Sequence, residues 1–562
     1  MIFYTESKLT NISGETVSLD IPKIRNADFV CNIALKQVNQ KQKPAQEIAV
    51  EYKKILQNDA KILSFFEKIE VTPQGFLEFF VSQEALFSLT KENTKNWGKG
   101  NLLEGKRIMV EFSCLNAMKP FHIGHFRNII LGESLSRILE FQEAKICRAT
   151  FYGDIGMNIA KCIYGIVHTE EDLPENESLK NRMDFLGKCY AKGGTAFEEN
   201  EEAKKDIQSI SKNLYTGEND THQKLFEIGR KWSFEYFETL YTTLDCHFDE
   251  YFYESESWKI GKEIVEKNIG SIFTLSNGAV VFEGEKYNPS LHTRVFINSE
   301  GNPTYETKDI GLALQQYKAF PYDTNIHVVG NEQTQYFSVV FEAQNQLFPE
   351  IKGKQYHLSY GLVKLSEGKM SSRTGKVITG EWLINEAKKL AAEIMETRNI
   401  PEKEKTIESV ALGALKFALL HIQAKNDSIL DLKKSVKMEG DSGPYIQYAY
   451  ARIQSILDKT ENLLYNEEEI QKALTSDDCM LLRRVQYFPL ITARCAQEYT
   501  THYLTHYLLK LVSEFSSWYA KHSVLQAETE ELKAGRIQII RCIQNTLKQG
   551  LYLLSINTPP TL

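Results

Sequence analysis

Apolar positions along the chain change their period twice, and the changes divide it into three parts. In residues 1–105 short apolar pieces such as Ile33–Leu35 and Phe76–Val81 sit among polar stretches, which predicts a small α+β domain. Its polar, glycine-bearing end, Lys91–Gly105, reads as a linker. In residues 106–400 the pattern sharpens. Ile108–Phe112 and Ile146–Tyr152 read as strands. Between them Phe126, Ile129, Ile130, Leu135, Ile138, Leu139 and Phe141 fall at helical spacing. Strand, helix, strand is a βαβ unit, so the spacing predicts a Rossmann-type parallel sheet. Residues from about 157 to 290 are more charged and partly helical, and read as an insertion whose polar middle, Glu198–Thr221, is a solvated helix or a loop. Strand-like pieces return at Arg294–Asn298, Asn325–Val329 and Gln355–Leu365. In residues 401–562 helical periodicity dominates, over Ile407–Ile422, Pro444–Leu457, Leu481–Thr500, His502–Val524 and Leu532–Leu554, which predicts an all-helical domain. The expected fold class is therefore α/β, with an N-terminal α+β domain and an all-helical C-terminal domain.

Composition alters this picture little. The 562 residues are 42% hydrophobic and 25% charged, as in a globular protein of several domains. The N-terminus lacks a basic start followed by an apolar core, and no run of about 18 uncharged apolar residues occurs; the nearest, Val410–Ile422, is broken by Lys416. The nine cysteines form no CxxC pair, so neither a zinc ribbon nor a thioredoxin-like site is indicated, and no metal site is expected. These features predict a cytoplasmic chain with reduced thiols and no membrane partner. A net charge of −8 excludes a wholly basic nucleic-acid coat protein, but not one that grips RNA through local basic patches.

Two segments carry candidate chemistry. Asn116-Ala-Met-Lys-Pro-Phe-His122-Ile-Gly-His125 follows the first strand and opens the first helix. Free helix N–H groups and the helix dipole favour anions at such a turn. Gly124 lets a nucleotide approach the backbone. Lys119, His122 and His125 can donate to a triphosphate as charge shifts onto it. The second segment, Gly361-Leu-Val-Lys-Leu-Ser-Glu-Gly-Lys369-Met-Ser-Ser-Arg373-Thr-Gly375, is a loop bracketed by glycines, with Lys369, Ser371, Ser372 and Arg373 suited to closing over phosphates. Alone, the first segment reads as a pair of metal-ligand or surface histidines, and the second equally well as a basic surface loop. A third segment, Gly100–Lys106, fits GxxxxGK but is dismissed. Arg107 stands where a magnesium-binding Ser or Thr belongs, and the segment precedes a strand instead of following one.

Together the two segments resemble the HIGH and KMSKS elements of class I aminoacyl-tRNA synthetases, in the expected order. Further stretches are similar to the arginyl enzymes in particular. Val110–Asn128 resembles VEFSSPNxAKPFHxGHLRS, Tyr305-Glu-Thr-Lys-Asp309-Ile-Gly resembles YxTRDIA, Val328–Gln333 resembles VVGxxQ, and Asp441–Arg452 resembles NTGPYxQYAxAR. The resemblance runs from about residue 75 to 552. It implies an arginine–tRNA ligase that activates L-arginine to its adenylate and passes it to the 3′ end of tRNA(Arg), forming AMP and diphosphate. ATP with Mg2+ is the implied substrate complex, with no tightly bound cofactor and a monomer as the expected state.

The same resemblance distributes roles. Lys119, His122, His125, Lys369 and Ser371 are implied to steady the leaving diphosphate, and Phe121, Gly124, Val363, Met370 and Ser372 to hold ATP. Glu111 and Asp309 are implied to face the guanidinium and Tyr305 to shape its pocket. Ser113 is placed in the same pocket, with Asn116 and Gln333 at the α-amino and carboxylate end. A guanidinium removed from water independently requires carboxylate partners. Tyr445, Gln447, Tyr448 and Arg452 are expected to meet tRNA at the anticodon-binding domain, where the core is the competing reading for each side chain. The N-terminal domain is expected to meet the tRNA elbow. Asp154 is open between a ribose or amino-group contact and a turn-forming role. Three departures stand out. Ser372 replaces the second lysine of KMSKS, a loss for which Lys119 is thought to compensate. Glu78 falls where the family often has Asn. The chain ends Thr558-Pro-Pro-Thr-Leu562 where the family usually ends near APERM. A synthetase for another amino acid, a catalytically retired paralogue that binds tRNA and a nucleotidyltransferase without tRNA are the rival readings. Glu111 and Asp309, the intact histidines with Lys369, and the long helical C-terminal domain argue against them in turn.

Overall fold

The computed structural model describes residues 1–22, 27–366, 379–398, 400–460, 466–559 and 561–562. Lys369, Met370, Ser371 and Ser372 lie outside the described residues.

The N-terminal part is a three-stranded antiparallel sheet, ordered β1-β3-β2, of β1 (Phe29–Cys31), β2 (Phe66–Val71) and β3 (Leu77–Val81). The expected linker is pinned at several points. Asn545 donates to the Asn93 carbonyl at 3.0 Å, and the Gly100 amide donates to the Phe141 carbonyl at 3.1 Å. The buried Asp28 carboxylate takes Arg483 and, at 3.1 Å, Gln486 from the C-terminal helices. The first domain is thus fastened to the last by an ion pair whose carboxylate is buried, and does not hang on a tether.

The central sheet has five parallel strands in the order β11-β10-β4-β5-β6: β4 (Arg107–Glu111), β5 (Lys145–Tyr152), β6 (Glu250–Tyr253), β10 (Thr324–Gly330) and β11 (Gln355–Tyr360). β4 is buried on both faces, as parallel strands usually are. Ile108 and Val110 pack with Phe126, Ile129 and Ile130 of helix α1 (Ile123–Phe141), and Met109 packs with Ile310 and Val339 on the other face. The sequence places β6 inside the insertion. In the structure it is an edge strand of the sheet, paired with β5 at Ala149↔Glu250 through Tyr152↔Tyr253. Four residues flanked by charge are too short for their period to show.

The helical insertion occupies the path from β5 to β6, as helices Met157–Val167, Leu179–Glu199, Glu201–Thr216 and Asp220–Thr243. Its polar middle is a helix. Ala203, Ile207, Ile210 and Leu214 are buried along one face while the charged residues stay in water. After β6 come helix α2 (Glu254–Lys267) and a small antiparallel sheet of β7 (Thr274–Ser276), β8 (Ala279–Glu283) and β9 (Thr293–Ile297). Helix α3 (Tyr305–Ala319) leads into β10, and helix α4 (Thr334–Leu347) leads out of it. The two-stranded pair β12 (Val363–Leu365) with β13 (Ser428–Leu430) closes this part.

The C-terminal helices are Lys403–Leu420, Gly443–Leu457, Ser476–Val485, Phe488–Gln497, His502–Tyr519 and Glu530–Leu553, together with shorter ones. The single helix expected over Leu481–Thr500 is two, because Pro489 sits in the first turn of the second, where its missing N–H costs nothing.

Candidate active site

The first candidate segment, and the described start of the second, lie at the carboxyl ends of the parallel strands, beside the point where strand order reverses between β4 and β10. The chain leaves β4 under strain. Ser113, Cys114 and Met118 have positive φ of 72°, 47° and 58°, three of the ten such non-glycine residues described. Left-handed backbone at a non-glycine residue costs about 1–3 kcal/mol and clusters at functional sites. Here it turns the chain from β4 across the sheet end and up into α1.

A cavity of about 520 Å3 opens below this turn. Glu111, Asn116, Tyr305, Asp309 and Gln333 all line it, together with Cys114, Glu254, Arg294, Lys308 and Tyr336. Glu111 is buried. Its Oε2 accepts from Gln316 Nε2 at 2.5 Å and lies 3.1 Å from His327 Nδ1, while the Cys114 thiol reaches Oε1 at 3.7 Å. Burial pushes this carboxyl up, but the His327 charge and the hydrogen bonds outweigh it and hold the group below its ordinary value. Asp309 behaves oppositely. Burial raises it to about 7, although Tyr336 donates to its Oδ2 at 2.5 Å. The neighbouring negative charge of Glu111 adds to the rise. The cavity therefore holds one ionised carboxylate with a partner and one that ionises readily once a cation arrives. A second buried pair, Lys308 Nζ to Glu254 Oε2 at 2.6 Å, closes one wall, and Arg294 bonds Glu306 at 2.7 Å beside it.

Asn116 and Gly153 form a bridge between the β4 and β5 exits. A Cβ on Gly153 would lie 2.3 Å from Asn116 Oδ1, so glycine is what lets the asparagine sit there. Ser113 is not in the cavity lining: its hydroxyl bonds Tyr241 at 2.9 Å and its amide donates to Asn128 at 2.5 Å. Asp154 is fully buried and consumed within the fold, by Arg230 at 2.8 Å and by the amide and hydroxyl of Ser255, each at 2.8 Å. Of its two open roles, this favours the structural one.

His122 caps α1. Its Nδ1 accepts from the amides of Gly124 at 3.2 Å and His125 at 3.4 Å, and the His125 ring accepts in return from the His122 amide. The two rings stack at 3.6 Å, with Phe121 beyond His125 at 6.1 Å. An Nδ1 used as acceptor keeps the ring proton of each neutral imidazole on Nε2. Burial, then Lys119, pulls His122 down to about 4, and burial with His122 pulls His125 well below its usual range. Both are neutral N–H donors at neutral pH. Lys119 is half-buried, lies 5.9 Å from the Tyr190 ring centre and is lowered by burial and by Lys161. The Lys369 segment itself is outside the described residues, but its flanks are placed. β12, with Val363, precedes it. Thr379 bridges His122, and the Gly380 amide donates to the Phe121 carbonyl at 2.9 Å. A Cβ on Gly380 would lie 2.1 Å from the Phe121 ring. The first segment thus meets the chain that follows the second. Among the described residues, no group of three or more His, Cys, Asp or Glu is placed to hold a metal ion.

Residues that the sequence reading passed over hold this geometry. Arg127, 1% exposed, donates to the carbonyls of Gly361 at 2.6 Å and of Ala424 and Asn426 at 3.1 Å. Asn128 donates to Val328 at 2.6 Å and to Tyr360 at 3.2 Å. Their signal was the Phe-Arg-Asn run at the start of a helix that is buried nearly all round. In the C-terminal domain Tyr445 bonds Ser516 at 3.1 Å, and Arg452 donates to Tyr448 at 2.6 Å and covers its ring. Gln447 is fully buried, its amide spent on the carbonyls of Ser409 at 3.2 Å and Asn557 at 2.8 Å. The structure offers it as a core residue and not as an RNA contact, because it lies on the inward face of its helix.

A parallel sheet with a capped histidine turn at its carboxyl end, bridged to Thr379 beyond the second segment, defines a class I aminoacyl-tRNA synthetase. Comparison with known proteins agrees. The family described as tRNA synthetases class I (R), catalytic domain, matches residues 88–432. The arginyl tRNA synthetase N terminal domain matches 6–81, and the DALR anticodon binding domain matches 446–562. An arginine–tRNA ligase of Treponema denticola is 34% identical over 490 residues, covering 85% of this chain and 82% of its own. One of Borreliella burgdorferi is 31% identical, covering 87% and 86%. Among solved structures, the Thermus thermophilus arginyl-tRNA synthetase matches the fold over 100% of both chains with a TM-score of 0.83 at 22% identity. That of Plasmodium falciparum matches over 100% and 99%, at 0.75 and 19%. The chain belongs to the arginyl-tRNA synthetase family, whose reaction is the ATP-dependent ligation of arginine to tRNA.

Proposed function

We propose that the cavity below the β4 turn is the arginine site, and that the two buried carboxylates facing one space carry this reading. Glu111 and Asp309 take the guanidinium, Tyr305 walls the pocket, and Asn116 and Gln333 hold the α-amino and carboxylate end. Ser113 acts through the backbone turn that aims Glu111. ATP enters as its Mg2+ complex and lies over Phe121 and Gly124. His122, His125 and Lys119 face its phosphates, and Lys369, Met370, Ser371, Ser372 and Val363 cover it. One arginine carboxylate oxygen attacks the α-phosphorus, the bond to the β-phosphate oxygen breaks, and diphosphate leaves. The 2′-OH of the terminal tRNA ribose then attacks the adenylate carbonyl, and AMP leaves. Alignment and donors placed where charge develops supply the acceleration, with no protein nucleophile.

The domain reading divides the chain into 1–105 for the tRNA elbow, 106–400 for catalysis with its insertion and phosphate loop, and 401–562 for the anticodon. There Tyr445, Tyr448 and Arg452 meet the RNA. The cavity is complete within one chain, which supports a monomer as the working unit. No described helix is long and apolar enough to cross a membrane, and the reading places the enzyme in the cytoplasm with its substrates. The test is attachment of labelled amino acids, each in turn, to total tRNA with Mg-ATP. Arginine alone is expected to be charged. Charging of a different amino acid would overturn the assignment of Glu111 and Asp309.

A further inference from the structure

The arginine cavity contains more negative charge than a single guanidinium balances, and the surplus is met from below by a side chain outside the cavity lining. His327 lies mid-strand in β10, 4% exposed, and is the register partner of Glu111 across the β4–β10 ladder. Cross-strand partners bring their side chains to the same face of a sheet. Its Nδ1 faces Glu111 Oε2 at 3.1 Å, and its Nε2 sits 2.7 Å from Gln355 Oε1 of β11. Gln355 is itself held by donating to Tyr322 at 2.8 Å. Facing His327 are Glu111 from β4 and Asp309 from α3. Phe337 and Phe341 from α4 clasp the ring, and Gln355 and His357 come from β11. Gln316 of α3 donates to the same Oε2 that His327 faces.

We propose that His327 is a positioning residue for arginine recognition: a buried imidazolium that fixes Glu111 by its Oε2, leaves Oε1 for the guanidinium, and keeps the empty cavity from carrying two uncompensated carboxylates. The inference rests on the reading of this cavity as the arginine site. The geometry makes it specific. An imidazole whose Nε2 partner is a carboxamide oxygen must carry a proton on Nε2. Placing a carboxylate oxygen opposite Nδ1 then favours a second proton there. The shifts of the two groups agree: burial pulls His327 down, but Glu111 more than restores it, while His327 holds Glu111 low against burial. Removing the charge therefore raises the pKa of Glu111 and that of Asp309, which His327 also steadies, so that both are less ionised at a given pH.

The experiment compares wild type, H327F and H327Q in tRNA charging, with arginine varied from pH 5.5 to 8.5 and thermal melts alongside. H327Q keeps a donor toward Glu111 without the charge and carries the test alone if H327F fails to fold. H327F is expected to raise the arginine KM at neutral pH by about tenfold, the weight of one pKa unit on one carboxylate, and H327Q by less. In both, kcat at saturating arginine stays within about twofold of wild type, and the acid limb of kcat/KM for arginine moves to higher pH. A packing role alone would lower the melting temperature and leave the limb and KM where they are in folded H327Q, which overturns the proposal. Failure of the wild type to charge arginine would overturn the cavity assignment instead, so the two failures are told apart.

Discussion

On the proposed reading, the two halves of the active site are built on opposite electrostatic plans. The amino-acid side is assembled before its ligand arrives: Glu111 held by Gln316 and His327, Asp309 by Tyr336, and Glu254 by Lys308. On the proposed phosphate side, Lys119, His122 and His125 make no ion pair among the described residues. His122 and His125 are stacked and neutral, and Lys119 is half-buried with its pKa pulled down, with a ring and not a carboxylate beside it. The difference follows from what each half binds. Buried carboxylates that await a cation need interim partners, or they would take up protons. Donors that await a triphosphate lose less when empty, because a neutral imidazole carries no charge to desolvate. On the proposed reading, ATP would bring the charge and restore their basicity when it binds.

Removing half of the carboxylate pair should do the greatest damage. Asp309→Asn leaves a buried guanidinium with one carboxylate, and truncating one partner of a buried charge pair costs about 2–5 kcal/mol. The arginine kcat/KM in tRNA charging is expected to fall by about 10²–10³-fold, mainly through KM; an unchanged KM would remove Asp309 from the pocket. The same residue sets a pH dependence. In the free enzyme Asp309 is raised to about 7, and a bound guanidinium favours its ionised form. Arginine binding below pH 7 thus releases a proton. The kcat/KM for arginine should rise as pH climbs to about 7 and level off above it, with a limb of up to tenfold per unit that D309N lacks.

On the phosphate side the expected loss is smaller and of another kind. Lys119→Ala removes one donor from the developing charge and should slow adenylate formation by ~10²-fold under single-turnover conditions. The arginine KM should stay the same. A full-rate K119A enzyme would end that role for Lys119. If K119A instead raised the arginine KM, the two halves would not be separable in the way their electrostatics suggest.

The sequence carried the architecture wherever a period was long enough to read. The β4–α1–β5 unit, the helical C-terminal domain and the strands near Arg294 and Asn325 are found within a few residues of expectation, while the piece expected over Gln355–Leu365 is two strands, β11 and β12, in different sheets. It missed β6, whose four residues carry no period, and the break at Pro489. In the candidate site the motif residues were legible, because Glu111, Asn116, Tyr305, Asp309 and Gln333 come from segments with recognisable spacing, and the fold brings them to one cavity. Their support was not legible. His327, Gln316, Gln355 and Tyr336 are ordinary residues in apolar surroundings, and their importance arises from a register across strands more than 200 positions apart in the case of Glu111 and His327. The C-terminal segment shows the opposite error. Four residues of one motif were read alike, although one helix turns Gln447 inward and Tyr448 and Arg452 toward its half-exposed side.

That split on a single helix gives the smallest expected effect and a clean contrast. Arg452 stacks over Tyr448 at 4.5 Å on the half-exposed side of Gly443–Leu457, an arrangement suited to a phosphate or a base face. Arg452→Ala should weaken tRNA about 3–10-fold, read as the KM for tRNA, and lower the salt slope of tRNA binding by about one. The arginine and ATP KM values should not move. Gln447→Leu acts on the other side of the same helix. It orphans the carbonyls of Ser409 and Asn557 and should cost about 1–3 kcal/mol of stability, while the surviving folded enzyme keeps the wild-type KM for tRNA. A tRNA defect in Q447L without a fall in melting temperature would mean that the helix meets RNA through its buried face, and so that this domain rearranges when tRNA binds.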